Sequence, residues 1–136
     1  MTAKSIHKIY MKDLMQNVFW SLGSAKRKDS YEEFIWEVSG YNNELFESLS
    51  KWNPDEVIFD GPQLRIVHLA YSKNADNRLE IIVEAKNGKS ITMGEILFSI
   101  HNKSVGFFEG VSAYFEGLTL TTSKDGIPTY TLWTGS

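Results

Sequence analysis

Apolar residues near the start of the chain recur at three- and four-residue spacing, which places their side chains on one face of a helix. This spacing predicts a first helix over residues 6–22, closed by Gly23 and Ser24. The cationic run at residues 26–28 follows at once. It either interacts with the carbonyl end of that helix or forms a solvated loop, and the loop is the better interpretation.

Two shorter helices are predicted next. Ser30 and Glu33 have the spacing of a capping box, so a second helix begins there, and Gly40 ends it. In a third helix, over residues 42–49, the apolar residues share one side and the acidic residues point away from it. Another helix or turn start follows, and a glycine–proline pair then separates the helical part of the chain from the rest.

From residue 64 onward the pattern changes to the two-residue alternation of strands. Residues 64–71 carry apolar side chains on both faces, as an interior strand does. Residues 78–84 alternate apolar and polar positions, as expected of an antiparallel strand with one wet face. A polar turn at residues 74–77 therefore joins the two strands into a hairpin.

One more helix and two more strands complete the pattern. Thr92 and Glu95 have capping-box spacing and open a helix that extends through His101. Strands are predicted over residues 118–122 and 129–133, on either side of a turn. The expected fold class is α+β, of order ααα-ββ-α-ββ, in which the N-terminal helices pack on one face of an antiparallel sheet.

Length and composition agree with a single globular domain spanning residues 1–136. A chain of this length with 42% hydrophobic residues can bury a core without covalent cross-links. Cysteine is absent from the sequence, which excludes disulfides, thiolate metal sites and a cysteine nucleophile. Because the N-terminus lacks the apolar segment of a secretory signal, and no stretch approaches the roughly 20 apolar residues that span a bilayer, we expect a soluble cytoplasmic protein.

Charge is distributed unevenly along the chain. Residues 29–60, here called the acidic segment, contain nine acidic residues and one basic residue, a net charge of −8. Residues 1–28 contain six basic residues and one acidic residue, a net charge of +5. A patch of one sign attracts a partner of the opposite sign. The acidic segment therefore predicts a basic partner, although solvated outer faces of helices account for the same charges about equally well.

Candidate catalytic groups are few. His7, His68 and His101 titrate near neutral pH, but each lacks a neighbouring motif, so a partly buried histidine with a hydrogen-bond partner is the better interpretation. Glu109 and Glu116 are candidates for a carboxylate pair, but solvated side chains next to glycines that permit unusual backbone angles are the better interpretation. Histidine pairs with metal-ligand spacing, phosphate-binding glycine loops and nucleophile elbows are all missing. We expect neither metal nor cofactor.

The aromatic residues suggest binding rather than catalysis. Tryptophans are more often core or interface anchors than ligand stackers, and Trp36 and Trp52 lie within the acidic segment, where an aromatic residue in a charged patch resembles the composition of a binding surface. The six basic residues near the N-terminus are too few, beside an acidic segment, to predict direct binding to nucleic acid.

Three stretches of the second half resemble small immunity proteins of bacterial contact-dependent growth inhibition and related polymorphic toxin systems. They are residues 94–98 with 100–102, residues 114–118, and residues 126–130 with the closing Gly135 and Ser136. The resemblance covers about the last 45 residues. It implies a protein that binds and neutralises a cognate toxin, and it transfers no set of contact residues.

The resemblance and the charge pattern together favour a non-enzymatic immunity protein. Many such toxins are nucleases with basic clefts, which an acidic surface can occupy. The candidate partner-binding residues are Glu32, Glu33, Trp36, Glu37, Tyr41, Glu44, Glu47, Trp52, Asp55 and Glu56. The alternatives are a small enzyme or ligand-binding module with an aromatic pocket on a helix-covered curved sheet, and an interaction domain of a larger assembly.

Overall fold

A computed structural model describes residues 10–23, 26–69, 78–108, 112–121 and 125–135. Within these ranges the chain forms two helices and seven strands. In order, they are β1 (Asp13–Leu14), α1 (Tyr31–Phe46), β2 (Val57–Asp60), β3 (Gln63–Leu69), β4 (Arg78–Glu84), β5 (Ser90–Thr92), α2 (Met93–Lys103), β6 (Tyr114–Thr121) and β7 (Thr129–Gly135).

The strands build one mixed sheet of five strands and a separate sheet of two. The larger sheet has the order β1-β6-β7-β3-β4, and β2 pairs with β5 in the smaller one. β3 and β7 run parallel, with Ile66 opposite Tyr130, while the other pairs are antiparallel. The expected fold, three N-terminal helices on a purely antiparallel sheet, is therefore wrong: the structure is mostly sheet.

The first predicted helix is absent where the structure describes the chain. Residues 10–23 run beside β6 instead, with β1 pairing Leu14 with Leu118. Met15 and Asn17 have φ angles of 62° and 59°, which a right-handed helix excludes. The apolar residues of this segment are still buried, Leu14 and Met15 among them. Their spacing predicted burial correctly and backbone conformation wrongly, because extended chain with left-handed turns can bury the same positions. Residues 6–9 lie outside the described part of the chain.

The second and third predicted helices are one helix. The Ser30 hydroxyl accepts a hydrogen bond from the Glu33 backbone N–H at 3.1 Å, so the predicted start is confirmed. α1 then continues through Gly40 to Phe46. A mid-helix glycine lowers helix stability by only about 1 kcal/mol. Burial of Phe34 and Val38 on the same helix exceeds that loss.

The later local predictions are largely confirmed. Thr92 and Glu95 form both bonds of a capping box at the start of α2. β3 and β4 pair antiparallel over seven residue pairs, from Gln63 opposite Glu84 onward. Their predicted turn at residues 74–77 lies outside the described residues. β6 begins four residues earlier than expected, and β1, β2 and β5 were missed, since strands of two to four residues carry too little alternation to recognise.

Side chains from both helices and from one face of the larger sheet form a single core. Ile66 and Tyr130 from the sheet, Ile96 and Ile100 from α2, and Phe34 from α1 are fully buried. α1 thus exposes the side that points away from this core. None of the helices in the described ranges has the length and apolar character needed to cross a membrane.

Asn42 fixes the position of α1. Its side chain is fully buried and takes part in four hydrogen bonds. The Oδ1 atom accepts from the Phe19 backbone N–H at 3.0 Å and from the Ser50 hydroxyl at 2.7 Å. The Nδ2 atom donates to the carbonyl oxygens of Phe19 and Val38 at 2.8 and 2.9 Å. One amide therefore ties the helix to the segment before it and to the loop after it.

Candidate functional site

A groove of about 660 Å³ lies along α1 and is open to solvent. We call it the α1 groove. Its lining consists of Trp20 from the segment before the helix and of seven helix residues: Trp36, Glu37, Ser39, Gly40, Tyr41, Asn43 and Glu44. It combines three aromatic side chains with two carboxylates. Such a mixture of apolar surface and a few polar groups is typical of binding sites.

Helical periodicity explains why these residues meet. Trp36, Gly40 and Asn43 are separated by four and three residues, so they succeed one another along one side of α1. Phe34 and Val38 point to the opposite side, into the core. Because of this division, the Trp36 side chain is left 77% exposed. Nothing in the core requires an indole at that position.

Trp20 forms the inner wall of the groove. Its ring meets the Tyr41 ring edge-to-face, with centroids 5.5 Å apart, and the Phe34 ring in the same manner at 5.7 Å. The indole Nε1–H donates to Nδ1 of His101 at 3.0 Å. Burial raises the pKa of Tyr41, so its hydroxyl remains protonated near neutral pH.

The hydrogen bond from Trp20 fixes the tautomer of His101, which is only 3% exposed. An indole N–H can only donate, so Nδ1 must carry the lone pair. Nε2 lies 2.7 Å from the Lys26 carbonyl oxygen, which can only accept, so Nε2 carries the hydrogen. Burial lowers the pKa of this imidazole, and its pKa shift also includes smaller opposing effects of the Lys26 carbonyl and Glu37. His101 is therefore a neutral, fully bonded ring that supports the groove wall.

The carboxylates around the groove fall into two groups. Glu37 is paired with Lys28 at 2.9 Å, and both side chains are about 30% exposed. The backbone of Lys28 is itself bonded to the Asn102 side chain, so the predicted solvated loop is in part docked on α2. Within the described ranges, the acids on α1 and at its end that form no ion pair are Glu32, Glu33, Glu44 and Glu47. They are exposed and leave the helix face with uncompensated negative charge.

The ten predicted partner-binding residues separate into three sets. Trp36, Glu37, Tyr41 and Glu44 line the α1 groove. Glu32, Glu33 and Glu47 are exposed on the same helix or at its end. Trp52, Asp55 and Glu56 lie outside the groove lining, in the loop before β2.

Trp52 differs from Trp36 in its surroundings. It is partly buried against the core, and its Nε1–H donates to the Ser39 hydroxyl at 2.9 Å. Asp55 and Glu56 are exposed in the turn that leads to β2. The structure therefore brings four of the predicted residues together and gives Trp52 a packing role.

Four groove residues were not predicted: Trp20, Ser39, Gly40 and Asn43. Gly40 was interpreted as a helix end and Trp20 as part of a helix that does not form. The one available signal was Gly40 itself, because the residues on both sides of it continue a single helical pattern. The contribution of Trp20 has no local signal, since its position depends on His101, 81 residues later.

The candidate catalytic residues that the structure describes, His68, His101 and Glu116, have different surroundings. Nε2 of His68 lies 3.1 Å from the Thr134 hydroxyl, and its ring packs edge-on against Phe107 and Phe108. Burial lowers the pKa of His68. Glu116 is exposed on β6. His7 and Glu109 lie outside the described residues. A search of the described ranges finds no cluster of three or more His, Asp or Glu side chains arranged to hold a metal ion.

Comparisons with models of protein families, with curated proteins and with solved structures found no match to this chain.

Proposed function

We propose that this protein is a non-enzymatic immunity protein that binds and neutralises a cognate, basic toxin domain of bacterial origin through the exposed face of α1. The observation that carries the proposal is the 77% exposed Trp36 among uncompensated carboxylates. In this proposal the protein acts in the cytoplasm of the cell that it protects and needs no cofactor.

The charges favour a basic partner for two reasons. Opposite charges steer association, which raises the rate of encounter well above that of neutral surfaces. A nuclease-like toxin must hold phosphates and therefore has a basic cleft, which a row of carboxylates can enter. Glu37 is already neutralised by Lys28, so the free carboxylates of Glu33, Glu44 and Glu47 would supply most of the attraction.

Exposed aromatic surface distinguishes this face from an ordinary solvated helix. Solvated helices tolerate charge everywhere, but a tryptophan with three quarters of its surface in water gains little from folding. Aromatic side chains at the centre of an interface are the ones that most often dominate binding energy, and surrounding polar residues exclude water from them. Trp36, which lines the α1 groove together with Tyr41, fits the role of such an anchor.

Charge reversal tests this assignment. The double variant Glu44→Lys and Glu47→Lys changes the net charge by four at the C-terminal end of α1, where lysine suits the helix dipole. The matched control, Glu84→Lys and Glu116→Lys, makes the same change at exposed positions of the larger sheet. The neighbouring gene is the source tested for a toxin domain as binding target, and affinity is measured by calorimetry at two salt concentrations; a neighbouring gene that encodes no toxin domain would count against the proposal.

We expect the α1 variant to lose at least tenfold in affinity and most of its dependence on salt, since each close charge pair at an interface contributes about 1.4 kcal/mol or more. The control should bind like the unaltered protein. Cells carrying the α1 variant should lose protection against the toxin. Equal affinity of the two variants would show that binding uses another surface.

A further inference from the structure

Gly40 has no structural reason to be glycine. It is an interior residue of α1, and its φ angle is not among the positive values found elsewhere in the chain. A Cβ added at Gly40 would meet no atom within 4 Å. Gly94 in α2 is the opposite case: a Cβ there would collide with Tyr31 and would lie 2.9 Å from Ile35. Packing accounts for Gly94 and leaves Gly40 unexplained.

The choice of glycine at this position lowers stability. Relative to alanine, glycine in a helix interior is unfavourable because the unfolded chain loses more conformational freedom on folding. Because glycine has no side chain, the helix backbone at Gly40 is uncovered at the base of the α1 groove. Trp36 stands one turn before it and Glu44 one turn after it, so an approaching group can reach the helix backbone between these two side chains.

The walls of the groove define the group that fits this gap. The indole of Trp36 and the ring of Tyr41 offer aromatic surface, and Glu44 offers a carboxylate that forms no ion pair within the described chain. A planar cation satisfies both, because a guanidinium stacks on an aromatic face and pairs with a carboxylate through two N–H groups. Lysine carries a compact charge without a plane, so it matches only the carboxylate.

We infer that the α1 groove receives an arginine side chain, with its guanidinium above Gly40 between the Trp36 ring and the Glu44 carboxylate. That this arginine belongs to a basic toxin domain rests on the function proposed above, whereas the preference of the groove for a guanidinium group rests on its own residues. Gly40 is then a specificity-determining residue, since any side chain there would occupy the place of the ligand.

A titration with defined peptides tests the inference. The ¹⁵N-labelled protein is titrated with acetyl-Gly-Arg-Gly-Arg-Gly-amide, and with versions in which lysine or citrulline replaces arginine. Citrulline keeps the shape of arginine and removes its charge. We expect saturable shifts of the Gly40 amide and the Trp36 indole N–H with the arginine peptide, weaker shifts with lysine and none with citrulline. Equal responses to arginine and citrulline, or no saturable response to arginine, would overturn the inference.

Substitutions in the groove then locate the site. Gly40→Leu should remove saturable binding of the arginine peptide, and Glu44→Gln should weaken it about fivefold to tenfold. Ser48→Leu places the same leucine side chain at an exposed position outside the groove and should leave binding unchanged. Thermal unfolding of each variant shows that it folds. Unchanged peptide binding by Gly40→Leu would refute the site.

The inference and the proposed function fail in different ways. If Gly40→Leu binds the toxin domain and the peptide as the unaltered protein does, while charge reversal on α1 abolishes toxin binding, the arginine site is wrong and the proposed function stands. If Gly40→Leu loses the arginine peptide and charge reversal leaves toxin binding unchanged, the arginine site stands and the proposed function is wrong.

Discussion

Lowering the pH should destabilise this protein through His101. The ring is neutral in the folded state because Nδ1 accepts the Trp20 indole N–H. Protonation would place a second N–H opposite that donor and a positive charge in a buried position, and the charge of Lys28 also disfavours it. The carboxylate of Glu37 acts in the opposite direction and favours the charged ring.

The direction of this pH effect follows from whether the folded or the unfolded chain binds the proton more tightly. The pKa of His101 is lowered in the folded protein, so the unfolded chain binds the proton more readily. The neutral His101 ring contributes fully to stability above about pH 6.5, the pKa of the histidine in the unfolded chain. This contribution is lost as the pH falls from there toward the lower pKa of the folded protein. One proton changes the free energy of unfolding by at most about 1.4 kcal/mol per pH unit. For a chain of this length, about 1 kcal/mol moves Tm by roughly 3–5 °C.

The assay compares urea unfolding of the unaltered protein and His101→Gln between pH 5 and pH 8. The glutamine amide can accept from Trp20 and donate to the Lys26 carbonyl, but it does not titrate. Other ionisable groups, including His68, are common to both proteins and cancel in the difference. We expect the difference in the free energy of unfolding to be constant above about pH 6.5 and to shift in favour of His101→Gln below it.

Trp20→Phe provides a second test of the same bond. It keeps the aromatic ring and removes the donor, leaving buried Nδ1 without a partner, so stability at pH 8 should fall by about 1–3 kcal/mol. The stability of Trp20→Phe should depend less on pH than that of the unaltered protein, because protonated Nδ1 of His101 no longer faces an N–H donor. A difference between the unaltered protein and His101→Gln that stays constant from pH 5 to pH 8 would refute the assignment of a neutral, lowered-pKa imidazole.

Substitutions at four further positions, in and next to the two helices, are tested by urea unfolding. Asn42→Ala removes a fully buried side chain with four hydrogen bonds and should lower the free energy of unfolding by about 2–4 kcal/mol; a loss below 1 kcal/mol would contradict the network. Thr92→Ala should cost about 1 kcal/mol by removing the α2 cap, whereas Thr92→Ser should not. Gly40→Ala should stabilise by up to about 1 kcal/mol, and Gly94→Ala should destabilise by about 1–3 kcal/mol because its Cβ collides with Tyr31. Equal effects at the two glycines would refute the contrast between them.

Local interactions were predictable from the sequence, and contacts between distant residues were not. The α2 cap depends on Thr92 and Glu95, three residues apart, so its signal is contained in the sequence. The parallel pairing of Ile66 with Tyr130 joins strands far apart in the chain, and a local pattern carries no information about it. β2 gave no signal because four residues carry too little alternation to recognise a strand.

The candidate site divides in the same way. Trp36 and Glu44 were predicted because both lie within the acidic segment, which is visible in the sequence, although they were assigned to two separate helices. The groove that α1 forms with the segment before it was not predicted. Its inner wall depends on a hydrogen bond between Trp20 and a residue of α2, which is distant in the sequence. Reading Gly40 as a helix end, by a rule that holds for many helices, also divided α1 into two and hid the alignment of Trp36 with Glu44.

The groove is suited to binding because both of its sides are held before a partner arrives. Asn42 fixes α1 to the backbone of Phe19, and the next residue, Trp20, is fixed to α2 through His101. Little conformational entropy then remains to be lost in the walls when a ligand enters, and preorganisation of this kind raises affinity without new contacts. Trp36 is the exception, since 77% of its side chain is exposed and free to adjust. A rigid groove with one adjustable aromatic side chain predicts that Trp20→Phe weakens binding through loosening of the wall, whereas Trp36→Ala weakens it through loss of contact.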